Sequence, residues 1–496
     1  MKKVSSTFSP LICIDRKASR PLHRQVYDAF RNAIISRNLR AGQRIPSSRS
    51  LASELRISRI PVLNAYAQLS AEGYIESRVG SGAFISSSLA DLPPVPVEEN
   101  FPSYPVQRTP RPVANHSSTL PRYERPAYTK GFGAFRLGSP AIDAFPLQAW
   151  SKLAARYWRN LDLRALRYGG PMGLRSLREA IATYLRAARS VHCEWRQIMI
   201  VSGSQQALNI STRVLLEAGS PVWVEEPGYW LTRSVLTAAG CRLVPVPVDE
   251  DGMNVAAGIK RCRKARAAYV TPSHQFPLGA LLSASRRLQL LEWAQGSGSW
   301  IVEDDYDSEY RYDSKPIASL QGLDPFSRVI HIGTFSKVLF PSLRLGYIVI
   351  PPDLVDHFIA TRHIMDHSPP HLSQAMLSDF INEGHFARHI RRMRLVYGER
   401  QEVLMNSIHA ELGSVLEITG AGAGLHLTVT LPKGYGDRAI SELAARQRLW
   451  LWPLSKSYVG TDSRQGFILG FGGVRKSEIA DSVRRLHSVI NDQRTP

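Results

Sequence analysis

Between residues 87 and 130 the chain carries Pro93, Pro94, Pro96, Pro102, Pro105, Pro110, Pro112, Pro121 and Pro126, with few large apolar side chains among them. Such a stretch buries too little surface to offset its ordering entropy, so it predicts an extended, partly stiff linker. It forces at least two separate bodies, a small one over 1–86 and a large one over 131–496. The length of 496 residues agrees, being too great for one compact domain. No internal repeat is visible.

Charge falls unequally on the two bodies. Residues 1–86 hold 14 Lys and Arg against 5 Asp and Glu, a net of +9 out of +20 for the chain. A uniform compositional bias toward Arg would spread that excess evenly. A concentrated basic module favours an anionic partner, of which nucleic acid is the commonest. The four cysteines (Cys13, Cys193, Cys241, Cys262) are scattered without CxxC spacing, which argues against a disulfide framework or a metal site and suits a reducing cytoplasm. The first residues are broken by Pro10 and Asp15 and do not read as a signal peptide. No window approaches eighteen apolar residues, so no membrane partner is expected.

In the small body, Leu22, Val26, Phe30 and Ile34 recur every four residues and predict an amphipathic helix over 21–37. Ser47 can cap a second helix carrying Leu51 and Leu55. Ser58 can cap a third, with Val62, Tyr66 and Leu69 inward, Pro61 in its first turn and Gly73 at its end. Two short alternating runs around Gly80 and Gly82 predict a hairpin. Three helices and a hairpin make a winged helix-turn-helix, whose third helix enters the major groove of DNA. Arg49, Ser58 and Arg59, near the starts of helices two and three, and Arg78 and Gly80 in the wing are the candidate DNA contacts. The whole run from "PLHRQVYDAF" to "EGYIESRVGSGAFIS" resembles the GntR family of bacterial regulators. Ile60-Pro61 stands where that family usually has two small hydroxylated or apolar residues.

In the large body, short apolar runs at Ile198–Val201, Val222–Val224, Ala268–Val270, Trp300–Val302, Val329–Ile332 and Tyr347–Ile350 alternate with helical patterns. The expected fold is α/β, a mostly parallel sheet covered on both faces. Ligands on such sheets bind beyond the carboxyl ends of the strands. After the first run, Ser202-Gly203-Ser204-Gln205 opens a helix, where a phosphate could bind or Ser merely cap. After the second comes Tyr229, a stacking aromatic or ordinary core. Glu303-Asp304-Asp305-Tyr306 follows the fourth; acids at a strand end are costly to bury without a cation. Thr334, Ser336, Lys337 and Arg344 follow the fifth. A Lys in a cleft can form a Schiff base and an Arg can hold a phosphate. One ligand asks for a Lys, a carboxylate, a stacking ring and a phosphate cradle together: pyridoxal 5′-phosphate.

From 131 to about 490 these motifs, above all "GTFSKVLFPSLRLGY", resemble fold-type I aminotransferases. The resemblance implies Lys337 as Schiff-base lysine, Asp304 facing the pyridine nitrogen, Tyr306 at the ring hydroxyl and Tyr229 stacked on the ring. Ser204, Gln205, Ser336 and Arg344 would hold the phosphate, with Thr334 among the cofactor contacts and Tyr168 reaching it from a partner subunit. A GntR-like head (15–86), a linker (87–130) and an aminotransferase-like body, large part about 150–350 and a smaller C-terminal α+β part about 351–496, resemble the MocR/GabR subfamily. That resemblance implies a head-to-tail homodimer, an operator on double-stranded DNA, and an amino compound or pyridoxal phosphate sensed through a Lys337 aldimine. An enzyme, an aminotransferase with an accessory head, is the competing reading. Two departures bear on it. Phe276 replaces an Asn that contacts the ring hydroxyl, and Ile468 replaces the Arg that clamps a substrate carboxylate. Without that clamp orientation is lost, which argues against full transamination. Arg233 and Arg464 are loose candidates for an effector acid.

Overall fold

The computed structural model describes residues 12–78, 81–89, 112, 133–312, 317–420, 422–460 and 463–492. Nearly all of the 87–130 linker, and Gly80 of the wing, lie outside them. The chain divides into two units, Met1–Pro112 and Val113–Pro496.

In the first unit, α1 (Leu22–Ile35), α2 (Ser48–Glu54) and α3 (Arg59–Ala71) precede an antiparallel pair, β1 (Ile75–Arg78) and β2 (Gly82–Ile85), with Ile75 opposite Ile85. Val26, Phe30, Leu51, Val62, Leu69, Ile75 and Ile85 form its core, and each buried aliphatic or Phe side chain contributes about 1.5–3 kcal/mol. Tyr66 is only half-buried; its ring stands edge-on to Phe30 at 5.4 Å and its hydroxyl donates to Pro46 O at 3.0 Å. Ser47 caps α2, its Oγ accepting from Ser50 N at 3.1 Å. Ser58 occupies the same position on α3 but makes no side-chain cap hydrogen bond. A capping oxygen bonds the N–H of the second or third helical residue, and in α3 the third is Pro61, which has none.

The second unit is built on an eight-stranded sheet. Its strands are β3 (Ile198–Val201), β4 (Pro221–Glu226), β5 (Arg242–Asp249), β6 (Gly252–Met253), β7 (Ala267–Val270), β8 (Trp300–Asp305), β9 (Val329–Thr334) and β10 (Gly346–Val349), in the order β3-β10-β9-β8-β7-β4-β5-β6. The central pairs are parallel, as the apolar runs predict, while β10 is antiparallel to both neighbours. Alternate residues feed opposite faces. Ile198 and Ile200 pack with Leu177 and Ile181 of the helix Arg175–Arg189. Met199 and Val201 pack with Leu208 of the helix Ser204–Leu215 and Phe358 of the helix Val355–Asp366. Strand β5 has no counterpart among the predicted runs, because Pro245 and Pro247 interrupt it. Prolines are tolerated near a sheet edge, and only the two-residue β6 lies beyond β5.

The C-terminal part adds an antiparallel sheet of β11 (Glu417–Thr419), β12 (His426–Thr430), β14 (Gly466–Gly470) and β13 (Trp452–Pro453), in that order, with helices His385–Leu412, Asp437–Arg446 and Lys476–Asn491. The segment around Phe135 is bonded to this part, Trp450 N donating to Ala134 O and Gly470 N to Phe135 O. Among the described residues no helix is long and apolar enough to cross a membrane.

Candidate cofactor site

A cavity of about 390 Å³ opens beyond the carboxyl ends of β4, β7, β8 and β9. Ser204, Gln205, Tyr229, Asp304, Tyr306, Thr334, Ser336, Lys337 and Arg344 all line it, so the sheet brings together every cofactor residue read from the sequence except Tyr168. That side chain is 86% exposed, its ring edge-on to His367 at 5.1 Å, away from its own chain's cavity.

The acidic strand end shows why one carboxylate is special. Glu303 and Asp305 are buried, and each meets a cation of this chain: His331 Nδ1 lies 3.0 Å from Glu303 Oε2, and Arg189 Nε donates to Asp305 Oδ2 at 2.9 Å. Asp304, between them, has no such cation. Its Oδ2 accepts from the Tyr269 hydroxyl, while its buried Oδ1 has no partner. Burial pushes its carboxyl up to about 6, against the Tyr269 hydrogen bond. An unpartnered carboxylate oxygen at a cavity wall fits a cationic or N–H-bearing ligand.

Lys337 extends to donate to Gly138 O at 3.1 Å. Burial draws its ammonium below the usual lysine range, Asp307 and Asp304 opposing and Arg344 adding to the effect. Gly138, at φ +71°, holds a left-handed backbone that favours glycine, and the absence of a side chain leaves Nζ, 2.2 Å from where a Cβ would stand, room to extend. Gly203 (φ +94°) opens the helix Ser204–Leu215, whose N-terminus offers backbone donors. Arg344 leans across it, its Nη2 on Ser202 O at 2.6 Å. The buried Ser336 Oγ has no partner. Two orphaned buried oxygens, a cation and a helix N-terminus thus converge on one space, the donor set that a phosphate and a protonated ring ask for.

Sequence reasoning missed several neighbours. Tyr306 hydroxyl lies 3.0 Å from His274 Nδ1, which is also 3.1 Å from Asp307 Oδ1. His426, pushed down to about 3 mainly by burial and then by His274, lies close enough to complete a group whose ligating atoms fall within 4.8 Å. No local spacing announces this group, since its members lie on three separated segments. Hydrogen bonds join Tyr306, His274 and Asp307, whereas His426 Nε2 sits 3.2 Å from Pro277 O. Trp230, Trp450 and Trp452 add an aromatic wall, Trp230 stacked on Trp452 at 3.9 Å, and Arg136 stands at the lining. Phe276 lines the cavity, and the fully buried Ile468 lies behind it, packed with Phe276 and Leu454. Arg233 is not an effector clamp: its guanidinium donates to Lys456 O and Ser457 O. Arg464 is exposed and does not line the cavity.

In the head, Arg49, Ser58, Arg59 and Arg78 are exposed. Arg59 Nε donates to Ser48 Oγ at 3.1 Å, and Arg78 lies over the Phe84 ring at 4.9 Å.

Residues 22–85 match the model of bacterial regulatory proteins of the gntR family, and 134–464 that of aminotransferase class I and II. The chain is 39% identical to the probable rhizopine catabolism regulatory protein MocR of Rhizobium meliloti, over 97% of this chain and 96% of that one. It is 31% identical to the pyridoxine biosynthesis transcriptional regulator PdxR of Corynebacterium glutamicum, over 94% and 95%. Among solved structures, the α-aminoadipate aminotransferase LysN of Thermus thermophilus, complexed with N-(5′-phosphopyridoxyl)-L-leucine, superposes with a TM-score of 0.71 at 27% identity, covering 77% of this chain and 97% of that one. A multiple substrate aminotransferase of Thermococcus profundus gives 0.71 and 27%, over 77% and 98%. With a GntR helix-turn-helix at one end and an aminotransferase fold filling the other, the chain belongs to the MocR/GabR-type family of transcriptional regulators.

Proposed function

We propose that the body holds pyridoxal 5′-phosphate and that an amine arriving there changes how the head engages its operator. The observation that carries this is Asp304, the one acid of the Glu303–Asp305 run without a protein cation. It would face the ring nitrogen and keep it protonated. Lys337 would hold the aldehyde, Tyr229 would cover the ring and Tyr306, backed by His274, would meet the ring hydroxyl. Ser204, Gln205, Thr334, Ser336 and Arg344 would cradle the phosphate. When bound, this cofactor supplies an aldehyde that condenses with primary amines and a ring that accepts electron density.

The effector is a small amino compound or pyridoxal phosphate itself. Phe276 lines the cavity and Ile468, packed behind it, supplies no cation where a transaminase would clamp an α-carboxylate, which favours sensing over turnover. Effector binding acts by stabilising one arrangement of the body over another. The working unit is a head-to-tail homodimer in the cytoplasm, bound to double-stranded DNA through the head. Supporting this, Ile142, Leu147, Trp158, Leu163, Leu166 and Tyr168 are all exposed within 27 residues of chain, and concentrated surface hydrophobics mark interfaces. Leu163→Asp with Leu166→Asp is expected to yield monomers by light scattering and to weaken cofactor binding about tenfold, ~1.4 kcal/mol, because Tyr168 of a second copy is then missing. Dimers with unchanged affinity would refute the interface.

The direct test is borohydride reduction of protein mixed with pyridoxal phosphate, then peptide mass mapping. The phosphopyridoxyl mass is expected on the Lys337 peptide alone. Labels scattered over surface lysines such as Lys152 and Lys260, with Lys337 bare, would sink the proposal.

A further inference from the structure

Helix α3 has a buried face of Val62, Ala65 and Leu69. On the opposite side, at the i, i+3, i+4, i+7 spacing of one helical face, stand Ile60, Leu63, Asn64 and Ala67, all exposed. Ile60 is 67% and Leu63 42% exposed. Neither belongs to the head's core. Apolar side chains on the outer face of a helix in a module with a net charge of +9 need an occupant that is both anionic and locally apolar. The major groove is one: its phosphates suit Arg49 and Arg78, exposed in the same module, and the only alkyl group on its floor is the thymine C5 methyl. Asn64, one turn beyond Ile60, carries the amide that matches adenine N6 and N7. Arg59, the residue on this helix suited to guanine, is tied through Nε to Ser48 of α2.

We propose that α3 reads A·T pairs, with Ile60 and Leu63 seated on thymine methyls and Asn64 paired to adenine. The proposal rests on the head being the DNA reader and adds what it reads. The full-length chain should be used to select duplexes from a random pool. Each thymine of the recovered sequence is then replaced singly by deoxyuridine, which removes only the methyl. At one or two thymines per half-site affinity is expected to fall roughly fourfold, the worth of a buried methyl group. Ile60→Ala should cost the same on the thymine duplex and nothing further on the uridine duplex, with its melting temperature unchanged because Ile60 lies outside the core. Asn64→Ala should relax selection at an adenine. Uridine tolerated at every position, or an Ile60→Ala loss equal on both duplexes, would overturn the proposal. Recovery of no common sequence would instead remove the DNA-reading role, and this inference with it.

Discussion

A chain carrying Lys337→Ala is expected to lose covalent cofactor capture completely and to bind pyridoxal phosphate about a hundredfold more weakly, ~2.8 kcal/mol. Its operator binding should no longer respond to any amine. The substitution removes a buried cation whose proton affinity burial has already lowered, so the fold should not suffer, and the melting temperature should hold or rise. The sign of the pH dependence follows from the same environment. A lysine drawn below its usual range has more free amine at neutral pH, so capture should rise with pH and level off below the 10.5 of an ordinary lysine. Asp304 must be ionised to hold a ring cation, so capture should fail again as the pH drops through about 6. Stopped-flow absorbance gives the rates, and operator titrations with and without amine give the response. A variant that still answers to an amine would place the sensor elsewhere.

What the sequence could and could not announce follows from how far apart the determinants lie. The head is local: its helices are set by apolar spacing, and Ser47, Pro61 and Gly73 punctuate them within a few residues. The expected Ser58 cap does not form there, and Pro61 withholds the N–H at the third helical position. The sheet was legible wherever a strand is a plain apolar run. It was not at β5, where Pro245 and Pro247 mimic a loop. The cavity residues were legible because each follows a strand in the chain. Tyr269, His274 and Gly138 were not, since they act on Asp304, Tyr306 and Lys337 only after folding brings distant segments together. Gly138 precedes Lys337 by 199 residues, and nothing in its neighbours marks it.

The run Glu303-Asp304-Asp305 carries this point to an experiment. Read alone, its acids are equivalent; the fold separates them by the cations it supplies. His331→Leu is expected to cost about 3–5 kcal/mol, because Glu303 then remains at the centre of the sheet with only the Leu320 and Gln321 N–H groups. In thermal denaturation that is a loss on the order of 10 °C. The pair's pH window can be stated. Glu303 is held down to about 2 in the fold, burial opposing and His331 with its hydrogen bonds prevailing, so its contribution is present above the unfolded value of 4.5 and is lost as the pH falls toward 2. His331 is raised above 6.5 by Glu303, so its contribution is full below 6.5 and is lost as the pH climbs through the raised value. The pair therefore stabilises most between 4.5 and 6.5, and there the deficit of His331→Leu should be largest. Below that window it should shrink, as Glu303 takes up the proton it can no longer share. Adding Glu303→Gln should restore most of the loss, since the neutral amide leaves no charge buried and its oxygen still offers an acceptor to those N–H groups. Cofactor capture by Lys337 in that double variant should stay within about twofold of the parent, for Asp304 keeps Tyr269 and its open oxygen. If instead the double variant folds well yet captures no cofactor, Glu303 and Asp304 act as one unit, and the division of labour along this strand end is wrong.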